Sequence, residues 1–146
     1  MKIRDFLQSD EKEYIRMSLD FFQGEAVLFQ NSEKNFKNTF EEIMKSSPFA
    51  RGLILEEEGK TVGYALLSFT WSNESGGKVV WLEELYVKEE YRGRKYAAQF
   101  MEWFLAEYKD FSRCRLEVCP HNLNVKKLYA SFGFSELPYI QMVYQK

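Results

Sequence analysis

The sequence predicts a single mixed α+β domain with a central, mostly antiparallel sheet and helices on both faces. Three observations carry this prediction. The clusters Glu58-Gly59-Lys60 and Asn73-Glu74-Ser75-Gly76-Gly77 separate three β-prone runs and mark an antiparallel meander. The run Lys78 to Val87 is apolar on both alternations, Val79, Trp81, Leu85 and Val87 on one and Val80, Leu82 and Tyr86 on the other, as a strand covered on each side requires. After Tyr91-Arg92-Gly93-Arg94 the period turns helical: Ala97, Phe100, Met101, Phe104, Leu105 and Tyr108 recur at i, i+3, i+4, i+7, i+8 and i+11.

In chain order, a short strand is expected near Lys2 to Phe6, then a helix opened by Asp10 with Glu13 three residues on, a capping-box spacing. A second helix should run from about Ser32 to Lys45 and end before Pro48. Between the two helices, Phe21 to Gln30 mixes both periods and supports neither element. The meander strands are Gly52 to Glu57, Thr61 to Trp71 and Lys78 to Val87. After the long helix, Arg113 to Cys119 reads as a strand, Asn122 to Phe132 as a short helix stopped by Gly133, and the tail as a last strand. The predicted order is β-α-α-β-β-β-α-β-α-β.

Composition removes several classes of function. A chain of 146 residues fits one domain, and its 45% hydrophobic and 17% aromatic content is too apolar for disorder. With 20 Lys+Arg against 22 Asp+Glu it lacks the cationic excess of a general nucleic-acid binder. No window approaches the roughly 18 apolar residues of a membrane helix. The first residues carry charges every few positions and no signal-peptide core, so a soluble cytoplasmic protein without membrane contact is expected. Cys114 and Cys119 would lie about 16 Å apart on an extended segment, too far to bridge, so both are expected as free thiols. A single histidine, His121, gives a metal cage or a Ser-His-Asp triad little to build on, and no metal is expected.

The chemistry concentrates at three places. Arg92, Gly93, Arg94, Lys95, Tyr96, Ala97 and Ala98 lie where a central strand hands over to a helix whose first N–H groups and dipole point outward. Three cations there, beside a glycine without a Cβ, suit an anion such as a phosphate; a solvated basic turn is the other reading. Glu83 and Glu84 interrupt the apolar central strand and should point to opposite faces, where each must be ion-paired, border a cleft or have a raised pKa. Tyr129 falls on an apolar helix face with Val125, Leu128 and Phe132, as core packing or as a proton donor. Asn122 precedes that helix, as its N-cap or as a ligand contact.

The stretches GYALLSFTWS, WLEELYV and YRGRKYA, followed by Asn122, Leu128-Tyr129 and Gly133-Phe134, resemble the GNAT superfamily of acyl-CoA-dependent N-acetyltransferases, most of all its spermidine/spermine and diamine branch. The loop signature there is Arg or Gln, two residues, Gly, one residue, then Gly or Ala. Arg92 and Ala97 match its ends, whereas Lys95 stands where a glycine is usual. The resemblance covers most of the chain and is firmest from about Gly63 to Phe134.

The resemblance implies a GNAT fold and acetyl-CoA as co-substrate. It implies that backbone groups of Leu85, Tyr86 and Val87 hold the pantetheine arm, that Arg92 and the backbone from Gly93 to Ala98 cradle the pyrophosphate, and that Asn122 contacts the cofactor arm. Tyr129 falls at the family's general-acid position, Glu83 at the acidic residue proposed as base in diamine acetyltransferases, and Glu84 where a second acid is common. The function implied is direct transfer of acetyl to a small-molecule primary amine, a polyamine or diamine, with Asp20, Glu25 and the two strand glutamates available to attract a polycation. The competing readings are a non-catalytic acyl-CoA-binding regulatory module and an acetyltransferase of protein or antibiotic amines. A homodimer paired through the last strands is also expected from the family.

Overall fold

The computed structural model describes residues 1–24, 27 and 31–144. Five strands, β1 (Lys2–Asp5), β2 (Ala50–Glu57), β3 (Lys60–Ser72), β4 (Gly77–Val87) and β5 (Arg113–Leu116), form one sheet in the order β1-β2-β3-β4-β5. Every neighbouring pair is antiparallel except β4 and β5, which are parallel because α3 (Tyr96–Glu107) crosses over between them. The remaining helices are α1 (Glu11–Gln23), α2 (Glu33–Met44) and α4 (Leu123–Ser131). The β2–β3 hairpin is tight because Glu58 and Gly59 both take positive φ, 50° and 75°.

The two sides of the sheet carry separate cores. On one side α1 contributes Tyr14 and Met17, and α2 contributes Phe36 and Phe40, against Ile54, Tyr64, Leu66 and Tyr86. On the other, Phe100, Met101 and Phe104 of α3 pack on Leu53, Leu55, Ala65, Leu67, Val80 and Leu82. Phe100, Met101 and Phe104 are fully buried, and side chains of this size contribute about 1.5–3 kcal/mol each when removed from water. The helical period of the sequence therefore reports a real buried stripe.

The alternation predicted along β4 breaks at one residue. Leu85 pairs with Ala65 and Glu84 with Leu66, but Leu67 pairs with Leu82, so Glu83 is an extra residue opposite no partner, a β-bulge. One inserted residue reverses the phase of everything beyond it. Val80 and Leu82 consequently share the α3 face with Leu85 and Val87, while Tyr86 lies on the α1–α2 face. The two faces expected from strict alternation are thus each exchanged halfway along the strand.

Three further expectations are corrected. Asp10 precedes α1 but does not cap it: its carboxylate accepts from the Leu7 N–H at 2.7 Å and from Arg4 at 2.7 and 3.0 Å, while Glu13 pairs with Lys88 at 2.5 Å. Asp10 thus ties β1 to the start of α1. Burial pushes the Asp10 carboxyl up, but the bonds from Arg4 and Leu7 outweigh it and hold it below the ordinary value. The strand from Arg113 stops at Leu116 rather than Cys119. The tail forms no strand over 135–144: a strand exists only as a pair, Pro138 lacks an N–H to offer, and Ile140, Met142 and Tyr144 stand exposed.

Gly63 of β3 sits opposite Val87, and a Cβ there would lie 2.1 Å from the Tyr86 carbonyl oxygen. Gly63→Ala should therefore cost at least about 2 kcal/mol in urea unfolding, because backbone rather than a flexible side chain must move. A stability matching the parent would refute so close an approach.

Candidate active site

Beyond Leu82 the sheet opens. The parallel ladder runs from Val79 with Arg113 to Leu82 with Leu116 and ends there, whereas β4 stays paired with β3 through Val87. The stretch from Glu83 to Val87 thus borders a gap on its β5 side. The Tyr86 carbonyl is turned towards Gly63, and the Lys88 N–H donates to the Val62 carbonyl at 2.9 Å, so both face β3. Backbone polar groups alternate sides along a strand, which directs those of Leu85 and Val87 into the gap. Of the three residues expected to offer backbone groups there, Tyr86 is the exception. The Val87 carbonyl accepts instead from Arg92 Nε at 3.0 Å.

The corner leading into α3 explains why the sequence pattern prefers glycine. Gly93 has φ 77° and open space around its missing Cβ. Lys95 is the N-cap of α3 with φ 64° and ψ 16°, left-handed values that strain any residue with a Cβ. No side chain caps the helix, and its first intrahelical bond runs from the Gln99 N–H to the Lys95 carbonyl. The N–H groups of Tyr96, Ala97 and Ala98 are therefore presented outward at the positive end of the helix dipole. Arg92, Arg94 and Lys95 are exposed around them, Arg92 with its guanidinium 5.9 Å from the centre of the Tyr86 ring and Arg94 5.5 Å from that of Tyr91.

The bulge also decides where the carboxylates stand. Glu84 accepts from the Tyr64 hydroxyl at 2.5 Å, and Glu83 accepts from the Ser68 hydroxyl. Tyr64 and Ser68 are four residues apart on β3, on the face opposite Leu67 and Phe69, so both glutamates lie on the α1–α2 side. Opposite faces, the expectation from alternation, would have kept them apart. Glu83 is exposed; Glu84 is half-buried. Burial pushes the Glu84 carboxyl from 4.5 up to about 7, with the Tyr64 bond opposing and the charge of Glu83 adding. Asp20 of α1 lies on the same side, 3.5 Å from the Tyr86 hydroxyl. Glu25 falls outside the described residues.

Tyr129 occupies the other side. Its ring packs against the α3 core together with Phe132 and stands 6.1 Å from Phe134, so these two residues of the apolar helix face read from the sequence do face the core. Its hydroxyl has no hydrogen-bond partner among the described residues, and burial pushes the phenol up to about 12. Asn122 caps α4 through its side-chain oxygen, which accepts from the Val125 N–H at 3.3 Å. Tyr64 is the residue that sequence reasoning missed. A tyrosine in a β-prone run reads as core, and its partnership with Glu84 depends on a bulge that leaves no compositional trace.

A sheet that opens beyond Leu82, an uncapped helix start and two carboxylates beside a bulge thus meet at one end of β4 in a mixed α+β domain. The family description "Acetyltransferase (GNAT) family" matches residues 12–134, and the chain belongs to that family, whose members use acetyl-CoA as co-substrate. A thialysine N-epsilon-acetyltransferase from Bos taurus is 35% identical over 78 residues, 52% of this chain and 45% of that protein. The chain thus spans less than half the length of that relative in the match. Among solved structures, one described as a possible acetyltransferase from Clostridium difficile 630 superposes with a TM-score of 0.85 at 18% identity, covering 99% of this chain and 97% of that one. A ribosomal-protein-alanine N-acetyltransferase from Brucella melitensis biovar Abortus 2308 gives 0.78 at 16% identity over 99% and 98%. At those identities the two structures establish the fold.

Two stability effects follow from the site's geometry. Lys95→Gly removes left-handed strain at the cost of extra freedom in the unfolded chain, and should raise stability by about 0.5–1 kcal/mol in denaturant titration. Glu84 is a carboxyl whose folded pKa is raised, so the protonated form favours folding below pH 4.5 and that advantage fades as pH rises through about 7. Glu84→Gln should accordingly be neutral at pH 4 and stabilising at pH 8, by an amount of order 1–3 kcal/mol. A pH-independent difference would contradict the raised value.

Proposed function

We propose that this chain is an acetyl-CoA-dependent N-acetyltransferase that passes acetyl directly to the primary amine of a small molecule of the diamine or polyamine class. The observation that carries the reading is the opening of the sheet beyond Leu82, with Glu84 on one side of β4 and Tyr129 on the other.

The residues present fit an acyl-CoA. The gap-facing backbone groups of Leu85 and Val87 would hold an amide-bearing arm as an added strand does. The outward N–H groups of Tyr96, Ala97 and Ala98, the open backbone at Gly93 and Lys95, and the cations Arg92, Arg94 and Lys95 would hold the diphosphate. Arg92 would release the Val87 carbonyl as it turns to that charge. Asn122 keeps its amide N–H2 group for the same ligand while its oxygen caps α4.

An amine is a nucleophile only after it loses its ammonium proton. Glu84, with a carboxyl near pH 7, takes that proton, and exposed Glu83 and Asp20 add negative charge on the side from which a cation approaches. The neutral nitrogen then bonds to the thioester carbonyl carbon as the carbon–sulfur bond breaks; the second proton it sheds on becoming an amide passes to solvent, which restores any proton given up by Tyr129. Tyr129 keeps its proton throughout the neutral range and offers it to the departing sulfur. Its phenol is a weaker acid than a free thiol, so stabilisation of developing charge by hydrogen bonding is its main contribution.

Support for the acceptor class comes from the carboxylates and from the partial match to a protein whose name specifies acetylation of an amino group on a side chain. A homodimer belongs to the same reading, because the apolar tail from Leu137 to Tyr144 has no cover in one chain. The cytoplasm, where acetyl-CoA and amines meet, is the proposed setting.

A thiol-release assay with acetyl-CoA tests this against polyamines, aminoglycosides, amino acids and peptide N-termini. Turnover with di- and polyamines is expected, lowered about 100-fold in kcat/KM at pH 7 by Glu84→Gln and about 10-fold in kcat by Tyr129→Phe, with acetyl-CoA affinity nearly unchanged in both. Heat of acetyl-CoA binding without thiol release on any amine would replace the reading with a non-catalytic binding module.

A further inference from the structure

We infer that Tyr64 is a positioning residue of the transfer site: its hydroxyl fixes one oxygen of Glu84 and leaves the other to the incoming amine. The inference rests on the reading of Glu84 as the base and assigns a role to a residue on the neighbouring strand, β3, which none of the sequence expectations included.

The geometry is specific. Tyr64 is fully buried, and its register partner across the β3–β4 ladder is Tyr86, while Glu84 stands opposite Leu66. Tyr64 is therefore the diagonal neighbour of Glu84, and its hydroxyl reaches Oε2 at 2.5 Å. A buried phenol needs a hydrogen-bond partner, and Glu84 supplies it. For Oε1 there is no donor among the described residues.

The ring cannot swing away. Tyr14 of α1 meets it edge-on at 5.3 Å, Tyr86 lies 5.8 Å off, and Tyr14 is in turn stacked on Phe40 of α2. Without Tyr64, Glu84 would sit on a bulge with one soft χ angle after another between it and the acceptor. Held at Oε2, it presents a fixed Oε1, which is what proton abstraction along one trajectory needs.

Among the described residues the titratable groups around Glu84 are few. Tyr64 reaches it from β3, Tyr14 from α1 and Glu83 from its own strand, with Tyr86 and Asp20 further along the same face. Burial holds the Tyr14 and Tyr64 phenols well above their ordinary values, so both stay protonated, and Tyr64 is a constant donor across the working range. The fully buried Ser18 hydroxyl of α1 neighbours both phenols without a hydrogen-bond partner of normal geometry among the described residues. Among the described residues no cation shifts Glu84, and Tyr64 is the group opposing its neutralisation.

The sign of the test follows. A donor to the carboxylate favours the ionised form, and its removal raises the titration midpoint. Tyr64→Phe keeps the ring and its packing and should move Glu84 upward by about one pH unit, read from the side-chain carboxyl ¹³C resonance assigned by its loss in Glu84→Gln. The acid limb of kcat/KM for an amine taken from the thiol-release panel should move with it, an about tenfold loss at pH 6. Replacement of Tyr64 by 3,5-difluorotyrosine, a stronger donor, should displace the midpoint the other way, and a residue that merely fills space would produce neither shift. A Glu84 resonance that titrates identically in all three proteins overturns the inference while leaving Glu84 as base if Glu84→Gln still abolishes the limb. A limb untouched by Glu84→Gln overturns the base assignment and Tyr64's role with it.

Discussion

The structure depends on how β4 shares its backbone hydrogen bonds. One edge is paired with β3 from Gly77 to Val87, and the other is paired with β5 only as far as Leu82. A buried strand cannot normally leave its polar groups without partners; Arg92 meets part of the cost by bonding the Val87 carbonyl, and the opening leaves the other gap-facing groups to solvent or, in the proposed function, to a hydrogen-bonding ligand. The long antiparallel β3–β4 ladder makes this tolerable. It anchors β4 from one side, so the strand stays extended where its parallel neighbour departs.

The bulge links that opening to electrostatics. By inserting one residue it turns Glu84 towards the aromatic layer of Tyr14, Tyr64 and Tyr86 instead of leaving it to alternate away. A carboxyl in such surroundings either ion-pairs or holds its proton longer than usual. Among the described residues no lysine or arginine reaches it. The phenol of Tyr64 compensates in part, giving a group that titrates near neutrality. A full salt bridge would have produced a permanent carboxylate too weakly basic to accept a proton from an amine. The backbone irregularity and the acid–base property therefore have one origin.

Much of this was legible in the residues, and the failures share a cause. The helices α2, α3 and α4 and the three meander strands come within two residues of their predicted bounds, because their signals are local: Ser32 accepting from the Asn35 N–H, the Phe100–Phe104 stripe, Gly59 in its turn, and Gly133 with φ 86° after α4. The corner from Arg92 to Ala98 was legible for the same reason. What could not be read was pairing. Glu83 as a bulge residue, Tyr64 as the partner of Glu84, Asp10 turning back to Arg4 and Leu7 rather than forward into α1, and the shortness of β5 all depend on which residue stands opposite which. An apolar, β-prone tail such as Ile140 to Tyr144 carries the composition of a strand, but composition does not supply the neighbouring chain that completes one.

The division of groups between the two faces has a mechanistic consequence. Glu84 packs with the α1–α2 layer and Tyr129 with the α3 layer, so in the proposed reaction neither could replace the other, and the proton taken from an amine on one side would not be the one delivered to a sulfur on the other. A reaction that loses a proton at nitrogen and needs one at sulfur is served by two groups only if both reach the same opening, and the gap beside Leu85 and Val87 is where the faces meet. Their acidities differ in the direction this requires. Under the proposed function, the carboxyl near 7 would accept from an ammonium without trapping the proton, and the phenol near 12 would keep its own until the carbon–sulfur bond weakens. A nucleophilic side chain and a covalent acyl-enzyme add nothing to this arrangement. In the proposed reaction both reactants would stand in the gap at once, and the nitrogen would reach the thioester carbon directly.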